Sequence, residues 1–144
     1  MWREAALEAF PGTEFLSPAS AAAVVDAEHR LGRELPAELR QLLLECGGII
    51  GHFGVDTVWS VERIVEQNLL FRTDGSFARL YMSFDALLFF GDNGGGDQFA
   101  FVQAPLRPDI FAWEHETDSR RWVARDLTDY LCRSLADGDD DWYR

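Results

Sequence analysis

No lysine occurs anywhere in the chain, so all 13 basic residues are arginine. A phosphate cradle of the P-loop kind therefore lacks its ammonium group. Cysteine is nearly as scarce. Cys46 and Cys132 are the only two, and no Cys-x-x-Cys pair exists. Both stand beside leucines in helix-like patterns and read as small reduced core side chains. A disulfide between them stays open, although nothing else suggests an oxidising compartment. The three histidines, His29, His52 and His115, are scattered without a His-x-x-x-His spacing, so a metal or other cofactor is not expected. No nucleophile elbow is present, and an enzyme is not expected. A Ser-His-Asp site assembled only in three dimensions stays open. No apolar run is long enough to cross a bilayer. Glu4 and Glu8 interrupt the only apolar stretch of the first ten residues, so an export signal is not expected and a cytoplasmic location is.

What is present suits one globular domain. The 144 residues are 47% hydrophobic and 13% aromatic, enough to build a real core. The 25 acidic residues leave a formal charge of −12. Such a surface repels nucleic acid and anionic membranes and attracts a basic partner. Plain solubility, or the coding bias of a genome, accounts for the charge as well.

The first half reads as helices. Residues 2–10 form a short helix closed by Pro11-Gly12. Ser17-Pro18 predicts an N-cap and a first helical proline, followed by Ala21, Val24, Ala27, Glu28 and Leu31 at helical spacing. Gly32 supplies a left-handed C-cap. Leu35-Pro36 predicts a second proline-led start. Leu35, Leu39, Leu42, Leu43 and Cys46 give its core-facing stripe, and Gly47-Gly48 ends it. The short connection implies an αα-hairpin. Phe53, Val55, Thr57 and Trp59 alternate as in a strand with one buried face. Ser60 caps a helix carrying Val61, Ile64, Val65 and Asn68.

The second half reads mostly as strands. A turn is expected at Thr73-Asp74-Gly75-Ser76 and a strand at Leu80 to Ser83. Leu87 to Phe90 and Phe99 to Val102 are continuous apolar runs around Gly91-Asp92-Asn93-Gly94-Gly95-Gly96-Asp97-Gln98, a hairpin signal. Ile110 to Trp113 and Trp122 to Ala124 are further strands, joined by a charged turn from Glu114 to Arg121. Asp126 caps a last helix, with Asp129 placed as in a capping box and Leu127, Tyr130, Leu131 and Leu135 on its apolar face. This order predicts a single α+β domain with a largely antiparallel sheet and helices packed on one side.

These residues resemble a known pattern. Residues 31–40, with Leu31-Gly32 and Leu35-Pro36, are similar to the helix pair of the SUKH superfamily. Gly47-Gly48 resembles its paired glycine, residues 90–97 its central glycine-rich signature, and Trp113-Glu114-His115-Glu116 its next hairpin. The agreement runs from about Ala21 to Leu135 and comes nearest the Smi/Knr branch, which includes a fungal cell-wall-synthesis regulator. The resemblance implies a SUKH-like domain over 17–136, an N-terminal extension at 1–16 and an acidic tail at 137–144. It also implies an immunity-type role: binding and neutralising a cognate polymorphic toxin, often a nuclease. No catalytic residue is implied. A scaffold or regulatory module is the alternative.

Candidate partner-binding residues are Asp92, Asn93, Asp97, Glu114, His115 and Glu116. Clustered oxygens around three glycines also suggest a cation or small-ligand site. The plainer reading is a tight turn, its glycines at positive φ and its Asn and Asp side chains bonding nearby amides. Glu114, His115 and Glu116 read by default as an exposed hairpin tip. Trp59, Trp113 and Trp122 are expected in the core. One of them standing exposed beside an acidic rim would be an interface anchor. Trp142-Tyr143 is expected to fray, with docking as the alternative.

Overall fold

Five helices and seven strands are built from residues 1–73, 84–103, 106–137 and 142–143, the parts that the computed structural model describes. Helix α1 (Trp2–Ala9) buries Trp2 and Ala6. In α2 (Ala21–Leu31) the buried side chains are Val24, Ala27 and Leu31, at the predicted spacing, and Gly32 ends it at φ 72°. All five residues of the next predicted stripe are buried, through α3 (Ala37–Glu45) to Cys46.

Both proline-led starts fall later than expected. Ser20, not Ser17, caps α2, its Oγ accepting the Ala23 N–H at 3.0 Å. Ser17 and Pro18 are held outside because their flanks run against α3. Ala19 N–H donates to the Leu43 carbonyl at 2.9 Å, and Leu16 exchanges bonds with Gly47 and Gly48. Pro36 is the N-cap of α3 and not its first helical residue. Leu35 N–H is already taken by the Glu28 carboxylate at 2.7 Å, which also receives Arg40.

Two antiparallel sheets form. The smaller, in the order β1-β2-β3, comprises Glu14–Phe15, Ile49–Ile50 and Asp56–Val58. Strands of two residues carry no readable period, so β1 and β2 were invisible to pattern. The larger, in the order β4-β5-β6-β7, comprises Leu87–Asp92, Gln98–Gln103, Leu106–Glu114 and Ser119–Ala124. A bond from Trp59 N–H to the Phe90 carbonyl at 2.8 Å links the two. The turn expected from Asp74 and the strand expected at Leu80 to Ser83 lie outside the described residues. Thr73 is the last residue of α4 (Val61–Thr73).

Successive residues of a strand point to opposite faces, and Phe89 and Phe90 show what each face meets. The Phe90 ring lies 5.0 Å from Tyr130 of helix α5 (Leu127–Asp137). The Phe89 ring meets Phe71 at 4.9 Å and Phe84 at 5.4 Å. Helix α4 runs beside the outer edge of β4. There the buried Asn68 amide bonds both the N–H and the carbonyl of Phe89 at 2.8 Å, standing in for a neighbouring strand. Helix α1 packs on α5.

Five side chains depart from expectation. Phe53 is not in a strand. It sits in a 3-10 turn (His52–Gly54) at φ 57°, ψ 25° and is 95% exposed. Left-handed backbone at a bulky residue costs about 1–2 kcal/mol. Trp122 is not core: it lies on the edge strand β7, 46% exposed, its Nε1 donating to Asp109 at 2.9 Å. Cys132 is exposed, while Cys46 is buried, and both are free thiols. Trp142 and Tyr143 are not frayed. They pack against Phe99, each ring centroid 5.4 Å from its own.

Candidate functional site

The β4–β5 hairpin begins with a close approach. Gly91 passes so near β3 that an added Cβ would stand 2.1 Å from the Thr57 carbonyl oxygen. No other residue fits there without moving backbone. The loop that follows is the predicted tight turn. Gly94 and Gly96 adopt φ 82° and 106°. Asp92 accepts the Gly94 N–H at 2.8 Å, and Asn93 accepts those of Gly95 and Asp97 at 2.9 and 3.1 Å. These are the local bonds that Asn and Asp make when they shape a turn.

The remaining capacity of these side chains points into the protein. Asp92 Oδ2 accepts Trp59 Nε1 at 2.8 Å and Arg63 at 3.2 Å. Asp97 is 2% exposed and pairs with His115 Nδ1 at 2.7 Å. It also accepts the His115 backbone N–H and the Tyr143 hydroxyl. Asn93 Nδ2 donates to the same Tyr143 oxygen at 3.2 Å. The loop thus joins β4, β6 and the Trp142-Tyr143 segment through partnered polar groups, of which Asn93 and Asp97 are buried.

Four of the six candidates are brought into this loop network: Asp92, Asn93, Asp97 and His115. Glu114 turns instead toward Arg121, 3.9 Å away. Glu116 projects from the β6–β7 turn as an exposed side chain. The carboxylates of Asp92 and Asp97 face N–H and O–H donors, which a cation would have to displace. Among the described residues no group of three His, Cys, Asp or Glu side chains is placed to hold a metal ion.

A cleft of about 400 Å³, counted with its open mouth, lies between the His52–Gly54 turn and this loop. Phe99 and Tyr130 line it, and Trp142 adds a wall. The Tyr130 hydroxyl donates to the Thr57 carbonyl at 2.6 Å. Burial, then the Asp92 charge, pushes that hydroxyl well above the ordinary phenol range. Phe53 stands at the rim. Its turn is fixed from both sides: the His52 ring stacks on Phe10 at 3.7 Å, and His52 Nε2 contacts the Leu135 carbonyl at 2.6 Å.

Phe53, Trp142 and Tyr143 are the parts of this end that sequence reading missed. A Phe-Gly pair inside a glycine-rich turn, and an aromatic pair after an acidic run, were the available signals. Among the described residues no helix is long and apolar enough to cross a membrane.

Comparison with known proteins gives one family. Residues 18–133 match the sequence model of the SMI1/KNR4 family (SUKH-1). A search of curated proteins returns no match.

Proposed function

The chain belongs to the SMI1/KNR4 family (SUKH-1), and from that premise we propose that it is an immunity-type binding protein. It neutralises a cognate toxin in the cytoplasm by covering the toxin's active surface, and it makes or breaks no covalent bond itself. The family match over residues 18–133 carries this reading. The charge of −12 supports a basic partner, because complementary potentials speed the encounter and fix orientation. The toxin's cationic groove, which would otherwise engage phosphates, is the natural complement.

The glycine-rich end is the partner-facing surface in this proposal. Asp92, Asn93, Asp97 and His115 shape it from beneath, while Glu114 and Glu116 sit on the adjoining turn. Co-expression with a toxin encoded beside this chain tests the reading. Rescue of growth, and a complex that weakens as salt rises, are expected. Undiminished toxicity together with no complex would overturn it and leave the scaffold or regulatory reading.

A further inference from the structure

Phe53 is the most exposed large apolar side chain among the described residues, at 95%. It has no visible structural reason to be aromatic. Its ring centroid lies 6.4 Å from that of His52. Its backbone is left-handed, and Gly54 beside it is left-handed too, at φ 75°. A glycine at position 53 would satisfy the turn without strain. The chain instead places its largest exposed apolar surface where backbone and solvent both oppose it. Outliers of this kind concentrate at sites that touch other molecules.

The turn that carries the ring is held in place. Val55 N–H returns to the His52 carbonyl at 3.1 Å, and Gly51 N–H to the Val55 carbonyl at 2.9 Å. His52 stacks on Phe10 on one side and contacts the Leu135 carbonyl on the other, so the backbone of the turn has little freedom left to lose on binding. Beside it opens the cleft walled by Trp142, with Asp92 on its lining. A projecting aromatic next to a receptive cleft is the form that dominant interface anchors take.

We infer that Phe53 is the docking anchor of this chain, inserting into an apolar pocket on a basic protein while the neighbouring cleft receives a side chain in return. The inference deepens the proposed immunity role and rests on it for the identity of the partner. Charge selects the partner class. At −12 a second copy of the chain, a nucleic acid and an anionic membrane are all repelled, whereas a cationic protein is drawn in. Asp56, two residues beyond Gly54 and 42% exposed, is paired with Arg63 at 2.5 Å, so the attraction rests on the net charge of the chain.

Calorimetry with the toxin domain encoded beside this chain is the test, using the full chain, Phe53→Ala, Phe53→Gly and the remote control Val25→Ala. Both Phe53 variants are expected to bind roughly 30-fold or more weakly, as loss of a central aromatic does. Val25→Ala is expected to bind within about twofold of the parent. Melting of Phe53→Gly at or above the parent temperature excludes unfolding as the cause. Parental affinity in Phe53→Ala would overturn the anchor and leave the immunity reading standing. If the parent itself does not bind that toxin, the immunity reading falls, and a photoreactive benzoyl-phenylalanine at position 53 decides the anchor separately. An adduct with an identified basic protein, whose purified form loses affinity for Phe53→Ala, supports it. An adduct with a second copy or an acidic protein, or no adduct, overturns it.

Discussion

The indole N–H of Trp59 donates to the carboxylate of Asp92 at 2.8 Å, tying a side chain that is 1% exposed to the first residue of the glycine-rich loop. Arg63 completes the unit. Its guanidinium lies 4.8 Å above the Trp59 ring and reaches both Asp56 and Asp92. Removing the carboxylate leaves a buried donor with no acceptor, which costs about 1–3 kcal/mol. Asp92→Ala is therefore expected to lower the urea unfolding midpoint by that equivalent. Unchanged stability would mean that the pair contributes nothing and that Asp92 is free for another role.

Tyr143 extends the same logic to the far side of the loop. Its hydroxyl bonds the carboxylate of Asp97 and receives Asn93 Nδ2. Hydrogen bonds to charged groups contribute about 1.5–3 kcal/mol, so Tyr143→Phe is expected to destabilise by about that much. A loosely held end would show no change in thermal melting, and that outcome would contradict the packing described above.

Gly91→Ala tests the close approach of the hairpin to β3. The new methyl would need the space of the Thr57 carbonyl, 2.1 Å away. Overpacking of this kind costs about 1–3 kcal/mol or more. Reduced yield of folded protein, or a lowered melting temperature, is the expected result; parental stability would show that β3 yields easily.

Acid should weaken the fold through Glu28 and Asp129. Burial alone would raise both carboxyls. For Glu28 the hydrogen bonds from Arg40 and Leu35 N–H outweigh it, and for Asp129 those from Arg125 N–H and Arg133 do so. Both therefore lie below their ordinary values of 4.5 and 3.8. Their stabilisation is complete above those values and is lost as pH falls through the lower folded-state values. Glu28→Gln is expected to be less stable than the parent at pH 7, with the gap narrowing at pH 3. Urea titrations at the two pH values measure it, and a gap that stays constant would rule out the Glu28 contribution.

The two thiols should separate cleanly. Burial, then the Glu45 charge, pushes the Cys46 thiol up to about 11, while Cys132 is exposed. A thiol-reactive disulfide reagent at pH 8 is expected to titrate one cysteine in the folded protein and two after denaturation. Two fast-reacting thiols in the folded protein would contradict the burial of Cys46.

Much of the fold was legible because long elements repeat their own signal. The stripe from Leu35 to Cys46 and the apolar runs at Leu87 and Phe99 each state period and burial several times over. The turn chemistry of Asn93 was legible too, since Asn-Gly between strands has few other uses. Caps and short strands were not. Ser17 and Ser20 are equivalent candidates until the tertiary bond from Ala19 to Leu43 decides between them. Phe53 mimicked a strand because its spacing to Val55 and Thr57 is that of alternation, and only backbone geometry distinguishes a projecting turn. Glu114 and Glu116 flank His115 in sequence, yet only His115 enters the network, because Asp97 lies across the sheet and not along the chain.

Trp2 and Ala6 lie before the family match begins at residue 18, yet they are 2% and 0% exposed and belong to the same core as α5. The inherited unit and the cooperative unit thus have different borders. A fragment trimmed to residues 18–133 would strip the cover from α5 and uncover a greasy surface unrelated to biology. Binding measured with such a fragment would report stickiness, so the opening seventeen residues belong in any preparation used to look for a partner.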